Sequence, residues 1–419
     1  MAPRTLTGGL STGLILCFAL TFTACHKTVQ NTGVDTPLDL PAGSTAIIDA
    51  SNEFAVKIFQ QTWQTEPSGT NTLISPLSIY LALDMTYNGA AGSTADSMAA
   101  TLQLSGIPLG QLNAVSHALL QQLPKEDSKV QLNIANAIWY ATTFPAPASG
   151  FTDSITHSYH GALQSLDFTN PGSLNTINSW VSKNTAGKIP KLLNQLNPTL
   201  VMLLVNAIYF NGSWLNGFQP GATQNGAFST SGGNSVVVPY MNQTVLLRLH
   251  ADSNLTMVEM PYGTGKAFDM YLVLPASQTQ PINSFISGLS ATNLDQALSS
   301  LDSARIALSM PKWEYSYAID NMQPELTAMG MGIAFGNSAN FSAMYPGQST
   351  AISQVTHKTY ISVSENGTTA AAVTDVGVVT TVAPAILALK FDRPFVYLIR
   401  ERSTGMILFI GVVNDPSQQ

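Results

Sequence analysis

Charge is scarce in this chain: only 10% of its 419 residues are Asp, Glu, Lys or Arg, against a usual share of about 25%. The net charge is −7 and the sequence pI near 5.3, which argues against a nucleic-acid partner. Cysteine is rarer still. Cys17 and Cys25 both lie in the first 25 residues, so the folded body can contain neither a disulfide nor a cysteine metal cluster. Its stability must come from packing, for which a 45% hydrophobic content is ample. No apolar run reaches the ~20 residues of a membrane-spanning helix. From Ser44 onward linkers, low-complexity tracts and repeats are missing, so one domain is read from there to about Pro416.

What stands at the start is an export signal. Arg4 is a short basic start, Leu14 to Phe22 is apolar, and Phe22-Thr23-Ala24-Cys25 has the form of a bacterial lipoprotein cleavage site. An ordinary signal peptide or a chance apolar start are the alternatives. Residues 1–24 are thus read as a signal peptide with Cys25 as the lipidated residue. The segment 25–43, rich in Thr, Asn, Pro and Gly, is read as a flexible tether with a root-mean-square span of roughly 25 Å. The domain occupies 44–419.

Ile47, Ile48, Phe54, Ala55, Ile58 and Phe59 recur at helical spacing. A second helix is expected to start at Ser75, with Pro76 in its first turn and Asn88-Gly89 ending it. Leu132 to Tyr140, Phe268 to Leu274, Arg305 to Met310, Phe395 to Arg400 and Met406 to Val413 are short, apolar and bounded by turn residues, as strands are. Val201 to Phe210 is apolar throughout except Asn206, as expected of a strand covered on both faces. Helices come first and strands later, an α+β order. A buried Asn206 needs partners, whether a backbone carbonyl, a water or a polar cluster, or it costs ~1–3 kcal/mol.

The informative stretch begins at Thr359, where Thr359, Ile361 and Val363 alternate with Tyr360, Ser362 and Ser364 as in a strand ending near Glu365. Then comes a proline-free run to Ala383. In it Thr368, Ala370, Ala372, Thr374, Val376, Val378 and Thr380 form an uncharged face, and the one charge, Asp375, falls on the other. The pattern is that of a strand with one buried face, yet it begins with small residues and ends in β-branched ones.

This segment resembles the hinge and reactive-centre loop of the inhibitory serpins, a family of serine-protease inhibitors. The likeness runs from about Ala46 to Pro416. It is carried by Asn71-Thr72-Leu73-Ile74-Ser75-Pro76-Leu77-Ser78-Ile79, by Ile177-Asn178-Ser179-Trp180-Val181 with Gly187-Lys188-Ile189, and by Leu204 to Trp214. Met310-Pro311-Lys312, His357-Lys358 and Phe391-Asp392-Arg393-Pro394-Phe395 follow in order and at family spacing. The resemblance implies a fold of three β-sheets and eight to nine helices, with the loop, about 365–390, exposed above a five-stranded central sheet. A protease that attacks the loop is held as an acyl-enzyme while the loop inserts as a new strand. The alternating face suits that insertion. From Thr368 to Thr381 the chain could add roughly 46 Å of strand.

Carried over residue by residue, Glu365, Gly367, Thr368, Thr369, Ala370, Ala371 and Ala372 match the hinge. Ser75, Ser78, Asn206 and His357 match the polar cluster, the shutter, where the central strands part. Trp214, Lys312 and Glu365 match the breach at the top of the opening, the lysine and glutamate as a pair. The family interval beyond Glu365 places the cut bond between Thr381 and Val382; counting back from Pro394 places it after Ala383 instead. Every neighbour is small or aliphatic, which suits an elastase-like or subtilisin-like protease and not a trypsin-like one.

The resemblance implies a target serine protease as partner in a covalent acyl complex, membrane contact through the N-terminal lipid only, and a monomer. No cofactor, metal or catalytic residue is expected, nor heparin-type activation, and the location is a membrane-anchored lipoprotein facing the periplasm or cell surface. A hydrolase reading of Ser309-Met310-Pro311-Lys312 as Ser-x-x-Lys fails because Pro311 and the strand-like run before it do not open a helix. From Ser44 onward neither Gly-x-Ser-x-Gly nor His-Glu-x-x-His occurs, and His157-x-x-His160 alone is a weak metal signal. A non-inhibitory serpin acting as a carrier is the other alternative; its hinge would be expected to depart from small residues.

Overall fold

The computed structural model describes residues 1–2, 37–67, 69–368 and 385–418. Among them are nine α-helices. The first six are α1 Ser44–Thr65, α2 Pro76–Tyr87, α3 Gly92–Thr101, α4 Leu109–Gln122, α5 Ser149–Tyr159 and α6 Gly172–Asn184. Three shorter ones follow: α7 Ile282–Ser287, α8 Ala291–Ser299 and α9 Gln323–Leu326. Strands β1 Thr72–Ile74, β2 Val130–Ala141, β3 Ala162–Leu166, β4 Met202–Ser213 and β5 Gln224–Ser229 are interleaved with the early helices or follow them. Then come β6 Ser235–Ala251, β7 Leu255–Pro261, β8 Phe268–Pro275, β9 Asp302–Pro311 and β10 Trp313–Ile319. The last five are β11 Gln354–Ser364, β12 Gly367–Thr368, β13 Ile386–Lys390, β14 Phe395–Glu401 and β15 Ile407–Val413.

Local chemistry accounts for the element that matters most to the site. Ser75 caps α2 from an extended backbone, its hydroxyl accepting from the Ser78 amide, and Pro76 fills the first turn where no amide is needed. At the other end the Asn88 amide donates back to the Asp84 carbonyl. Every residue from Pro76 to Thr86 is buried. So α2 runs through the core rather than along a surface.

The central sheet has the order β10-β11-β12-β4-β2-β3, five longer strands with the two-residue β12 between two of them. Strand β4 is buried on both faces because two clusters sandwich it. Leu204, Ile208 and Phe210 point into the main core, while Leu203, Val205 and Ala207 meet Ile177 and Val181 of α6. Strand β10 instead alternates buried and exposed, a sheet edge with one face in water.

The remaining strands form one hydrogen-bonded sheet rather than the separate second and third sheets expected. Its order is β1-β15-β14-β8-β7-β6-β9-β13, with β5 on β6. The reason is the 17-residue β6, which pairs with β5 through Ser235–Tyr240, with β7 through Arg248–Ala251 and with β9 through Tyr240–Leu249. One long strand thus carries both sheets. The tether boundary also needs correction. The Leu38 side chain is buried in the main core, its amide donates to Ser403 Oγ, and Asp39 exchanges hydrogen bonds with Gln122. The packed domain therefore begins by Leu38 and not at Ser44, since two apolar side chains, Leu38 and Leu40, suffice to dock the segment.

Candidate functional site where the central sheet parts

Strands β4 and β11 run parallel and pair from Leu203–Gln354 to Ala207–Lys358. Beyond that point β11 keeps only its antiparallel partner β10, and β4 only β2, until β12 enters at the top. There Gly367 pairs with Ser364 and Ser213, and Thr368 with Val363 and Gly212. The sheet is therefore pinned at both ends of a slot lined by residues 208–211 and 359–362.

The lower pin is a polar row crossing three strands. Asn136, Asn206 and His357 stand opposite one another on β2, β4 and β11. Asn206 Nδ2 donates to Asn136 Oδ1 at 2.6 Å and to the Ser78 carbonyl, and its Oδ1 lies 3.0 Å from His357 Nδ1. The Ser75 amide donates to His357 Nε2 at 3.0 Å, and Ser75 Oγ donates to the Leu408 carbonyl at 2.7 Å. Because Nε2 accepts an amide, the proton of the neutral ring must sit on Nδ1, where Asn206 Oδ1 receives it. Full burial pushes the His357 pKa down to about 3. The structure thus brings Ser75, Ser78, Asn206 and His357 together. Ser78 takes part through its backbone, its hydroxyl having no protein partner among the described residues. Asn136 is the member that sequence reasoning missed. A lone amide on the core-facing parity of the Leu132 to Tyr140 strand was the available signal.

The upper pin gathers Trp214, Lys312 and Glu365. Lys312 Nζ lies 2.9 Å from Glu365 Oε2, and Thr223 Oγ1 donates to Oε1 at 2.7 Å. Burial pushes the Glu365 carboxyl up, but the Lys312 and Thr223 hydrogen bonds outweigh it and hold the pKa below the usual value. Trp214 Nε1 donates to the Ser364 carbonyl at 2.9 Å, while the Trp214 and Phe218 amides donate to the Asn366 and Glu365 carbonyls. The turn into β12 is tied down on three sides. Trp214 also stacks on Tyr262 at 4.5 Å, and the Tyr262 hydroxyl meets Thr368 Oγ1 at 2.6 Å. Tyr262 and Thr223 were not legible as site residues.

Gly367 cannot be replaced without moving the sheet. Its φ is +134°, and a Cβ there would stand 2.2 Å from the Gly212 carbonyl oxygen and 2.6 Å from Ser213 Cα. Thr369, Ala370, Ala371, Ala372, Thr381, Val382 and Ala383 lie outside the described residues, as does Cys25. Ser309 and Pro311 lie in β9, an extended strand, so the Ser-x-x-Lys string opens no helix.

A family profile described as Serpin (serine protease inhibitor) matches residues 49–416. The chain belongs to the serpin family. An uncharacterized serpin-like protein of Thermococcus kodakarensis is 31% identical over 376 residues, covering 88% of this chain and 86% of that protein. The native structure of the thermophilic serpin tengpin matches with a TM-score of 0.81 at 31% identity, over 88% of this chain and 94% of that one. Human thyroxine-binding globulin complexed with thyroxine also matches at 0.81, with 29% identity over 90% of this chain and 100% of that chain. Its fold is the serpin fold, and serpins are generally protease inhibitors rather than enzymes.

Proposed function

We propose that this serpin inhibits serine proteases by suicide-substrate trapping. A target cuts the loop near Thr381–Val382, remains bound as an acyl-enzyme, and is displaced as the loop enters the slot between β4 and β11. The observation that carries this reading is β12. Gly367 and Thr368, two residues of the hinge, already pair with both neighbouring strands as the beginning of a new one.

Continuing that register sets Ala370 opposite Ile361 and Phe210, Ala372 opposite Thr359 and Ile208, and Thr374 opposite His357 and Asn206. Ile361, Phe210, Thr359 and Ile208 are all buried, so the incoming face must be small and uncharged, as it is. Thr374 would enter between Asn206 and His357. The polar row therefore acts as a gate that holds the lower sheet closed until the loop arrives. The chain supplies bait and a bistable sheet, and the protease supplies the chemistry.

The small aliphatic loop favours elastase-like or subtilisin-like targets. The N-terminal pattern favours export, lipidation at Cys25 and display on a membrane facing the periplasm or cell surface, and the family favours a monomer. A carrier role, by analogy with thyroxine-binding globulin, is the second reading, and the small-residue hinge speaks against it. The test is incubation with an elastase and with trypsin, followed by denaturing electrophoresis and mass spectrometry. A stable covalent complex with the elastase, cut after Thr381 or Ala383, is expected; cleavage with no complex from any protease of either class overturns inhibition.

A further inference from the structure

Half of the six histidines of this chain meet at one place on the surface, remote from the slot. His117 projects from α4. His157 lies in the last turn of α5, and His160 follows as its left-handed cap at φ +48°. The His117 ring stacks on His157 at 5.2 Å and lies 5.3 Å from His160. Chance surface histidines do not require such a meeting of two helices, and three imidazoles side by side repel one another when charged.

Their hydrogen bonds define which nitrogens carry lone pairs. His117 Nδ1 stands 2.8 Å from the His157 carbonyl oxygen, which can only accept, so the proton is on Nδ1 and Nε2 is free to donate electrons. The Gln121 side-chain amide nitrogen then lies 3.4 Å from His117 Nε2 and 3.4 Å from His160 Nε2. Two imidazole lone pairs from different elements thus converge on one donor. Orientation of a ring by a backbone carbonyl on its other nitrogen is also how metal-bound histidines are held.

We propose that His117 and His160 form a binding site for a borderline divalent transition metal such as Zn2+, in which the ion takes the place of the Gln121 amide. No group of three or more His, Cys, Asp or Glu side chains among the described residues is set to hold an ion as it stands. The ion must instead draw in the two Nε2 atoms to about 2.0–2.1 Å. His160 is exposed, and its side chain can make that movement. A flipped Gln121 presents its oxygen as a third ligand, and water completes the shell. The bound ion clips α4 to the end of α5, two residues before the edge strand β3 of the central sheet.

The test is isothermal titration of the full chain with Zn2+, with Mg2+ as the hard-ion control. One equivalent of Zn2+ should bind at this site and Mg2+ should not. His117→Ala and His160→Ala should each weaken that equivalent at least tenfold, while Gln121→Glu, which puts a carboxylate at the meeting point, should tighten it. At metal 100-fold above the dissociation constant the folded-to-unfolded ratio should rise about 100-fold, read as a shift of the urea midpoint. Absence of binding, or a Zn2+ affinity unchanged in all three variants, overturns the site.

Discussion

If His357 is the neutral centre of the lower pin, acid should open it, and the size of the effect follows from its surroundings. Nε2 accepts the Ser75 amide and Nδ1 donates to Asn206. A second ring proton would face an N–H with no acceptor, in a site closed to water. The folded pKa is accordingly about 3 against an ordinary 6.5. A depressed histidine is neutral in the fold and protonates in the unfolded chain, so its stabilising contribution is complete above pH 6.5 and is lost progressively as pH falls toward 3. The slope is about 1.4 kcal/mol per pH unit, which amounts to about 3 kcal/mol by pH 4.5. Other groups titrate in the same window, so the wild type is compared with His357→Gln, an uncharged side chain able to accept and donate. Urea melts at pH 7.5, 5.5 and 4.5 should show the stability advantage of the wild type shrinking by about 3 kcal/mol across the series. A constant difference between the two proteins would refute the argument that burial of a neutral ring controls this pin.

The remaining expectations concern the slot itself. Thr368→Arg places a charge where the side chain is 2% exposed and touches Tyr262, so it should turn the inhibitor into a substrate; complex formation in full yield would remove insertion from the mechanism. Asn136→Ala leaves one Asn206 N–H without its acceptor and should cost about 1–3 kcal/mol in a urea melt, reduced by loss of the Asn136 amide nitrogen, which has no partner itself. Cutting the loop near Thr381 with a protease that escapes trapping should raise the melting temperature, since β12 can then extend between β4 and β11; an unchanged or lower value argues against a sheet that gains a strand.

How much of this was legible before the structure depended on whether a signal was local. The α2 boundaries could be read because a serine cap, a proline in the first turn and an Asn-Gly stop each act within a few residues. The β4 run, apolar but for Asn206, points to cover on both faces, and the two clusters that sandwich it supply that cover. Partners of Asn206 were less accessible. The need for partners follows from burial alone, but Asn136 lies 70 residues away and reaches it only through an antiparallel register that no local pattern prescribes. Tyr262 was hidden for the same reason, since a tyrosine beside a strand end reads as ordinary core until Thr368 is found against its hydroxyl. Composition alone makes the tether six residues too long, because it averages over a boundary that Leu38, docked beside Ser403, and Leu40 decide.

The same distinction explains why the slot is encoded twice. Alternation from Thr368 onward is a local signal, a face waiting for a partner surface. The partner surface is non-local, made where the β4–β11 register ends at Ala207–Lys358 and resumes through β12 at Gly212–Thr368–Val363. Neither pattern requires the other for folding: β10 and β2 already satisfy the outer edges of β11 and β4. In the proposed insertion the two features would meet in register, with the buried neutral His357 and the Asn206 amide at the point where both must give way.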